Sequence, residues 1–511
     1  MKRKVLTVAA AAMAAALLAV PASAKGSAEA GGKTAAKPSI SVAIFDRGTV
    51  PVEKGTYEQN DVTKWINEHA PVQVKFVPVP RWETTQKYNL WLAAGEAPDI
   101  FMEYQPEYTQ DYVNQGVLTE LSSYIDKAGP TIRSKTPPEV AQWGRYNKGE
   151  YAVPQIRSPS AIPNWNVWVR QDWMKQLGLS MPQTTEQLYQ LAKAFKDKDP
   201  DKKGAWGISL IGPGVGNVYL NMFGLQRGSW TLVGGQPEMA EVTEQYRDTM
   251  AYMARFYREK LADPEYFTDK GGNQAAQNFV NGKLGIFPAN NIRQHLPTLL
   301  KNNPQADVVV MPIPESSYGR FGFYQERPVS LLNMVPKTCK NPEAAVKYLD
   351  WMFATGWEWV TYGDEGRHWS WKDGMRISNV DDATYKRDLV YRIDYPIMTQ
   401  NLLTPEDLYK QNAGSEPIVR TAWKVATDGM KVTMEHPFQR LLPTSGLGLA
   451  LYTEISQTLG NYAEEIWTKV VIGEIAPDEG LRMVRKEWDS IGYQDLKKQI
   501  TQKAKELGYL K

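Results

Sequence analysis

The chain has 511 residues, 59 basic and 57 acidic, for a formal charge of +2, with 42% hydrophobic residues, 11% aromatic residues and a single cysteine. This length predicts two or three domains, or a two-lobed body with a large core, and the composition excludes disordered, collagen-like and coiled-coil chains. A charge so near zero exerts no long-range pull on nucleic acid or anionic lipid, and Cys339 alone forms no intramolecular disulfide.

The elements follow in chain order. Lys2-Arg3-Lys4, an apolar run to Val20, Pro21 and the small-x-small site Ala22-Ser23-Ala24 predict a secretory signal peptide over 1–24. Its removal takes away three basic residues and no acidic one, leaving a mature charge of −1. No cysteine lies near the cleavage site, so anchoring through a lipidated N-terminal Cys is not expected, and the protein is expected in the periplasm or the medium. Residues 25–38 are Gly, Ala, Ser and Lys with little to bury, a flexible leader.

Ile40, Val42 and Ile44 alternate with small or polar residues, as do Val72, Val74 and Phe76, which predicts two strands with a helix from Asn60 to His69 between them. Tyr88, Trp91 and Leu92 share a helical face that Gly95 ends, and Ile100–Met102 follows as a third strand. Strand–helix–strand–helix–strand with short connections predicts a parallel sheet whose ligands bind beyond the strand C-termini, at Asp46–Gly48, Pro78–Trp82 and Glu103–Gln105. Asn164–Val169 is a further strand, followed by a helix ending near Gly178. Thr184 with Gln187 forms a capping box before Leu188, Leu191, Ala192 and Phe195. Asp307–Ile313 is a strand, Asn341-Pro342 opens a helix burying Ala345, Leu349, Met352 and Phe353, and beyond Asn401 the chain is mostly helical through Pro477–Lys505.

Chemistry-bearing motifs are few. The histidines at 69, 295, 368 and 436 have no metal-binding spacing, Gly212–Gly216 lacks the lysine of a phosphate loop, and no nucleophile elbow occurs. Asp199, Asp201 and Gly204 match positions of a calcium loop, but Lys203 stands where an oxygen ligand belongs, so an acidic turn is preferred over bound Ca2+ and no cofactor is expected to be required. The aromatic load, with 17 Trp and 26 Tyr, divides into helix or strand tryptophans expected in the core (Trp168, Trp173, Trp351, Trp423, Trp467, Trp488) and loop tryptophans. Gly366–Trp371 is expected to be a loop whose Trp369 and Trp371, with Trp165, suit the C–H faces of a pyranose.

Several segments together resemble one family. Leu92–Ile100 (LAAGEAPDI), Val169–Leu179 with Pro182, Leu261–Phe267, Gly282–Gly285 and Tyr362–His368 match, in order, segments of the extracellular solute-binding proteins of bacterial ABC transporters, and Asp199–Gly204 sits where oligosaccharide-binding members, alginate binders included, carry a calcium loop. The resemblance implies an α/β type II periplasmic-binding fold with a helical C-terminal region, and lobes formed by 39–158 with 327–400 and by 159–326 with 401–511. It implies a monomer that captures an oligosaccharide and delivers it to permease subunits, without catalysis. The expected ligand-binding residues are Asp46, Arg47, Tyr104, Trp369 and Trp371 in the first lobe, Trp165, Asn290 and Asn291 in the second, and Arg157 and Arg327 near the crossings; Asp199 and Asp201 are the only metal candidates. Alginate does not carry over, because Pro288–Asn291 bears an amide where those members bear an aromatic. Two alternatives stay open: a secreted glycoside hydrolase or polysaccharide lyase, and a peptide or metal-chelate receptor on the same fold.

Overall fold

Nine strands in chain order build two sheets: β1 (Ser39–Asp46), β2 (Gln73–Pro80), β3 (Phe101–Glu103), β4 (Ala152–Ile156), β5 (Asn166–Arg170), β6 (Trp206–Ile208), β7 (Leu284–Ala289), β8 (Val308–Val310) and β9 (Val329–Met334). The structure is a computed structural model that describes residues 36–511 except 147, 162–165, 212–217, 270, 291, 324, 413–414, 436–437, 439–448, 507–509 and 511. The expected signal peptide, most of the leader, the Gly212–Gly216 loop, Trp165, Asn291 and His436 lie outside the described residues.

β1 and β2 run parallel in register from Ser39↔Gln73 to Asp46↔Pro80, and β3 joins β1 through the parallel bridge Val42↔Ile100. The helices between them start and stop where local chemistry dictates. Asn60 accepts from the amides of Val62 and Thr63 at the start of Asp61–His69, and Gly95, at φ 72°, closes Thr84–Ala94 in the left-handed region that favours glycine. The expectation of a wholly parallel sheet needs correction. β9 lies between β3 and β4 and is antiparallel to both. It returns from the second sheet rather than from a helix crossover on its own sheet, so it enters from the opposite end.

The second sheet has the order β8-β5-β7-β6, with β5 antiparallel to β8 and β7, and β7 parallel to β6. The expected strand Asp307–Ile313 is confined to Val308–Val310. Thr184 caps Thr185–Lys198 by accepting from Gln187 N, but the Gln187 side chain accepts from Gln183 N rather than completing the box at Thr184. The long C-terminal helix is two, Pro477–Ile491 and Tyr493–Glu506, broken at Gly492 with φ 106°.

Each sheet has its own hydrophobic core. One gathers residues between Ile40 and Ile156 and between Val329 and Met398; the other gathers residues between Val167 and Phe323 and between Ala422 and Ala504. Three passages of chain run between these cores side by side. Arg157 N donates to Pro328 O at 2.9 Å, and Ser160 N donates to Leu403 O at 3.1 Å. Of the tryptophans expected in the core, Trp168, Trp173, Trp467 and Trp488 are buried, whereas Trp351 and Trp423 are only half-buried.

Candidate functional site

The C-terminal ends of β1 and β3 deliver three of the expected residues to one place. Asp46 accepts from Gly48 N at 2.8 Å, bending the chain as β1 ends. Arg47 then donates through Nε to both carboxylate oxygens of Asp394, at 2.9 and 3.0 Å, and through Nη2 to the Tyr104 hydroxyl at 3.2 Å. Tyr104 lies parallel to Phe45 with ring centroids 5.6 Å apart. The Arg81 guanidinium, contributed by the turn after β2, sits 4.7 Å from the Phe45 ring centre and 4.9 Å from that of Tyr104, a cation–π pairing on both rings. Glu103 anchors this layer: it accepts from Tyr104 N at 2.8 Å and from Thr84 Oγ1 at 2.5 Å, and faces Arg81 at 3.8 Å.

Burial sets the electrostatics. It raises the Asp394 carboxyl above its ordinary value although Arg47 pulls the other way. Burial opposes the Arg47 charge, yet the Asp394 partner holds that guanidinium above its usual value. Tyr104 is raised by burial, against the pull of Arg47, Arg81 and Arg157. The ensemble presents guanidinium forks and a phenol hydroxyl, groups that hydrogen-bond a polyhydroxylated ligand.

Arg157 and Arg327 hold the crossings next to this cluster. Arg157 Nε donates to Arg327 O at 2.9 Å and to Val329 O at 3.3 Å, with Glu326 at 3.6 Å. Arg327 donates to Gln105 Oε1 at 3.3 Å and to Glu107 at 3.5 Å. Asn290 lies half-buried just beyond β7; Asn291 and Trp165 are outside the described residues.

The tryptophan segment is not a loop. Trp369–Lys372 and Met375–Ser378 form an antiparallel hairpin, β10 and β11. Trp369 is 7% exposed, with Nε1 donating to Gly363 O at 3.1 Å, whereas Trp371 is 54% exposed. The Arg376 guanidinium fills the space between Tyr362, Trp369 and Trp371, at 4.1, 4.6 and 5.1 Å from their ring centres. Of the two loop tryptophans expected to stack on a sugar, Trp369 is therefore already covered from inside the protein, and only Trp371 offers a free surface.

The carboxylates of the acidic string after the helix Thr185–Lys198 are paired within the protein. Asp199 accepts from the amides of Lys203, Gly204 and Ala205 at 3.1, 2.8 and 3.1 Å. Asp201 Oδ2 lies 3.0 Å from Nη1 of the fully buried Arg170 and accepts from Asn303 Nδ2 at 2.9 Å. With its carboxylates engaged and Lys203 beside them, the segment is an Asp-capped turn tied to a guanidinium. Among the described residues no group of three or more His, Cys, Asp or Glu side chains could hold a metal ion.

Sequence reasoning pointed to Asp46, Arg47 and Tyr104 but passed over Arg81 and Asp394. Arg81 lies inside a strand-end turn already marked as ligand-facing; Asp394 carries no local signal, being 347 residues from its partner. A cavity of about 280 Å³ bordered by Ile132, Arg133, Arg145 and Glu150 shares no residue with the cluster, and its two arginines are both paired with Glu150.

Comparison with known proteins gives a consistent picture. Residues 53–359 match the bacterial extracellular solute-binding protein family. The polygalacturonan/rhamnogalacturonan-binding protein YtcQ of Bacillus subtilis is 24% identical over 478 residues, covering 88% of this chain and 86% of its own. Among solved structures, an HMO-binding, ABC-transporter-associated solute-binding protein of Bifidobacterium longum infantis superposes with a TM-score of 0.70 at 17% identity, over 93% of this chain and 100% of that one. The Streptococcus pneumoniae substrate-binding protein FusA, in complex with kestose, does so with a TM-score of 0.68 at 15% identity, over 91% and 99%. The fold is that of these solute-binding proteins, as the sequence segments implied. Among the described residues no helix is long and apolar enough to cross a membrane.

Proposed function

Because the chain belongs to the bacterial extracellular solute-binding protein family, we propose that it is the substrate-binding component of an ABC transporter, capturing an oligosaccharide between two lobes and handing it to membrane permease subunits. The lobes in this reading are 39–158 with 327–400 and 159–326 with 401–511, which gives each hydrophobic core a lobe of its own. The protein would act as a monomer after removal of its signal peptide, in the periplasm or the medium, and would catalyse nothing.

The observation that carries this reading is the convergence of Arg47, Arg81, Arg157 and Asp394 on Tyr104 at the strand ends of the first core. Sugar hydroxyls lose water on binding and need partners, which forks and phenols supply. The three adjacent passages at Arg157–Ser160, Arg327–Val329 and Leu403 supply a hinge. Each lobe keeps its core while these few residues absorb the rotation, and a ligand touching both lobes favours the closed state by that difference in contact.

Asp394 is held by both oxygens on Arg47, so it is poorly placed to pass a proton to a leaving group.

The test is a thermal-shift screen of the mature protein against plant and microbial oligosaccharides, followed by calorimetry and chromatography of the recovered ligand. A saturating ligand at 100 times its Kd adds about 2.7 kcal/mol of stability and is recovered intact. Turnover of the sugar, or no response to any saccharide, would reject the proposal.

A further inference from the structure

Arg293 stands apart from the other arginines. Every other arginine with a buried or half-buried side chain among the described residues has a carboxylate within 4.0 Å, from Arg81 with Glu103 and Arg157 with Glu326 to Arg376 with Glu358 and Arg392 with Asp61. Arg293 has none. It sits in the short turn Ile292–Gln294 immediately after β7 and Asn290, at the C-terminal strand end of the second core, where ligand-facing loops of such sheets diverge. Its guanidinium carbon lies 4.4 Å from the ring centre of Trp423, on the helix Pro417–Glu435. The partial burial disfavours its charge and lowers it from its usual value, and the group acting against this is Tyr385. Tyr385 is exposed and belongs to the helix Asp382–Asp388, whose flanking Tyr391 lies in the first core.

A desolvated guanidinium without a counter-ion is unfavourable in the unliganded protein. Stacking on an indole holds its plane and leaves the N–H fork free, and a planar fork of this kind matches a carboxylate through two parallel hydrogen bonds. The cluster around Tyr104 differs, since Arg47 there is already neutralised by Asp394.

Resting on the oligosaccharide reading above, we infer that Arg293, oriented by Trp423, is a subsite for the carboxylate of an acidic sugar residue, so that the ligand contains at least one uronate. Asn290, beside it, is placed to serve adjoining hydroxyls.

The experiment is calorimetry of the mature protein and its Arg293→Gln and Arg293→Lys variants with trigalacturonate, its methyl ester, trimannuronate and the neutral trisaccharide kestose, at low and high salt. The expected result is that the wild type binds an acidic trisaccharide at least about tenfold more tightly than the esterified or neutral one. Arg293→Gln should lose about tenfold for the acid, with the ester unchanged, and Arg293→Lys should recover part of it with a steeper salt dependence. Unchanged thermal unfolding of the variants excludes misfolding as the cause. Binding only to esterified or neutral sugars, or a variant that weakens acid and ester alike, overturns the carboxylate subsite and leaves the oligosaccharide reading standing. Failure of the wild type to bind any of these saccharides overturns both.

Discussion

Asp201→Ala tests whether the acidic turn is an internally paired structure. Asp201 is held against Arg170, which is fully buried and also faces Asp172 at 2.5 and 2.8 Å. Removing one partner of a buried ion pair costs about 3–5 kcal/mol when the survivor has no other. Here Asp172 remains and the Asp201 side chain is 15% exposed, so roughly half of that, about 2 kcal/mol, is expected. For a lobe of this size about 2–4 °C accompanies each kcal/mol, which gives a fall in Tm of about 4–8 °C for the transition of the second core. Asp201→Asn keeps an acceptor for Asn303 and should fall less. Arg170→Met combined with Asp201→Ala should recover part of the loss, because an apolar side chain then fills the space the unpaired cation would occupy. The measurement is scanning calorimetry in EDTA and in millimolar calcium, with identical traces expected for the parent. An Asp201→Ala variant within 1 °C of the parent, or a calcium-dependent rise in parent Tm that the substitution abolishes, would refute the reasoning.

Three further predictions concern the site and the core. Tyr104→Ala should weaken oligosaccharide binding by about 1–3 kcal/mol in calorimetry, while Tyr104→Phe, which keeps the ring over Phe45 and under Arg81, should lose only the hydroxyl's share. Trp369→Ala should destabilise the protein by about 3–5 kcal/mol as a buried ring is lost, whereas Trp371→Ala should leave urea unfolding nearly unchanged; equal losses from the two would contradict the hairpin packing. Burial holds the His295 imidazole below its usual value. As pH falls below about 6.5 the unfolded chain takes up a proton that the folded one resists, so stability is complete above that pH and declines below it. The slope of Tm between pH 7 and 5.5 should be shallower in His295→Phe, and an unchanged slope would show that the ring titrates freely.

Much of the first core was legible because its signals are local. The alternation in Ile40–Ile44 and Val72–Phe76 has one meaning in a half-buried strand, and Gly95 and Gly178 end their helices in the left-handed region the sequence suggested. The strand-end rule then singled out Asp46, Arg47 and Tyr104 without any knowledge of their partners. What was lost lies in distant pairing. Nothing near Asp394 announces Arg47, and nothing near Val329 announces that its strand enters the first sheet reversed. The hairpin is a different case, since its signal was present: Asp373-Gly374, both at positive φ, is the dipeptide that closes a two-residue hairpin, and Trp369-Ser370-Trp371 alternates as a strand does. The glycines around it made the segment resemble a loop. Trp423 was assigned to the core from its helix alone, and helical periodicity does not reveal that Arg293, from another element, covers its ring.

The insertion of β9 between β3 and β4 also bears on how the protein is made. Asn333 pairs with both Met102 and Val153, so the first sheet has a gap between β3 and β4 until residues near 330 have emerged, by which time the whole of β5 to β8 has been synthesised. Until then β3 and β4 expose unpaired edges over a half-built core. The amino-terminal segment is thus not a unit that can fold during synthesis and wait for the rest. A chain cut before Val329 should remain open and prone to aggregate, and a full-length chain should stay unfolded long after its first strands exist.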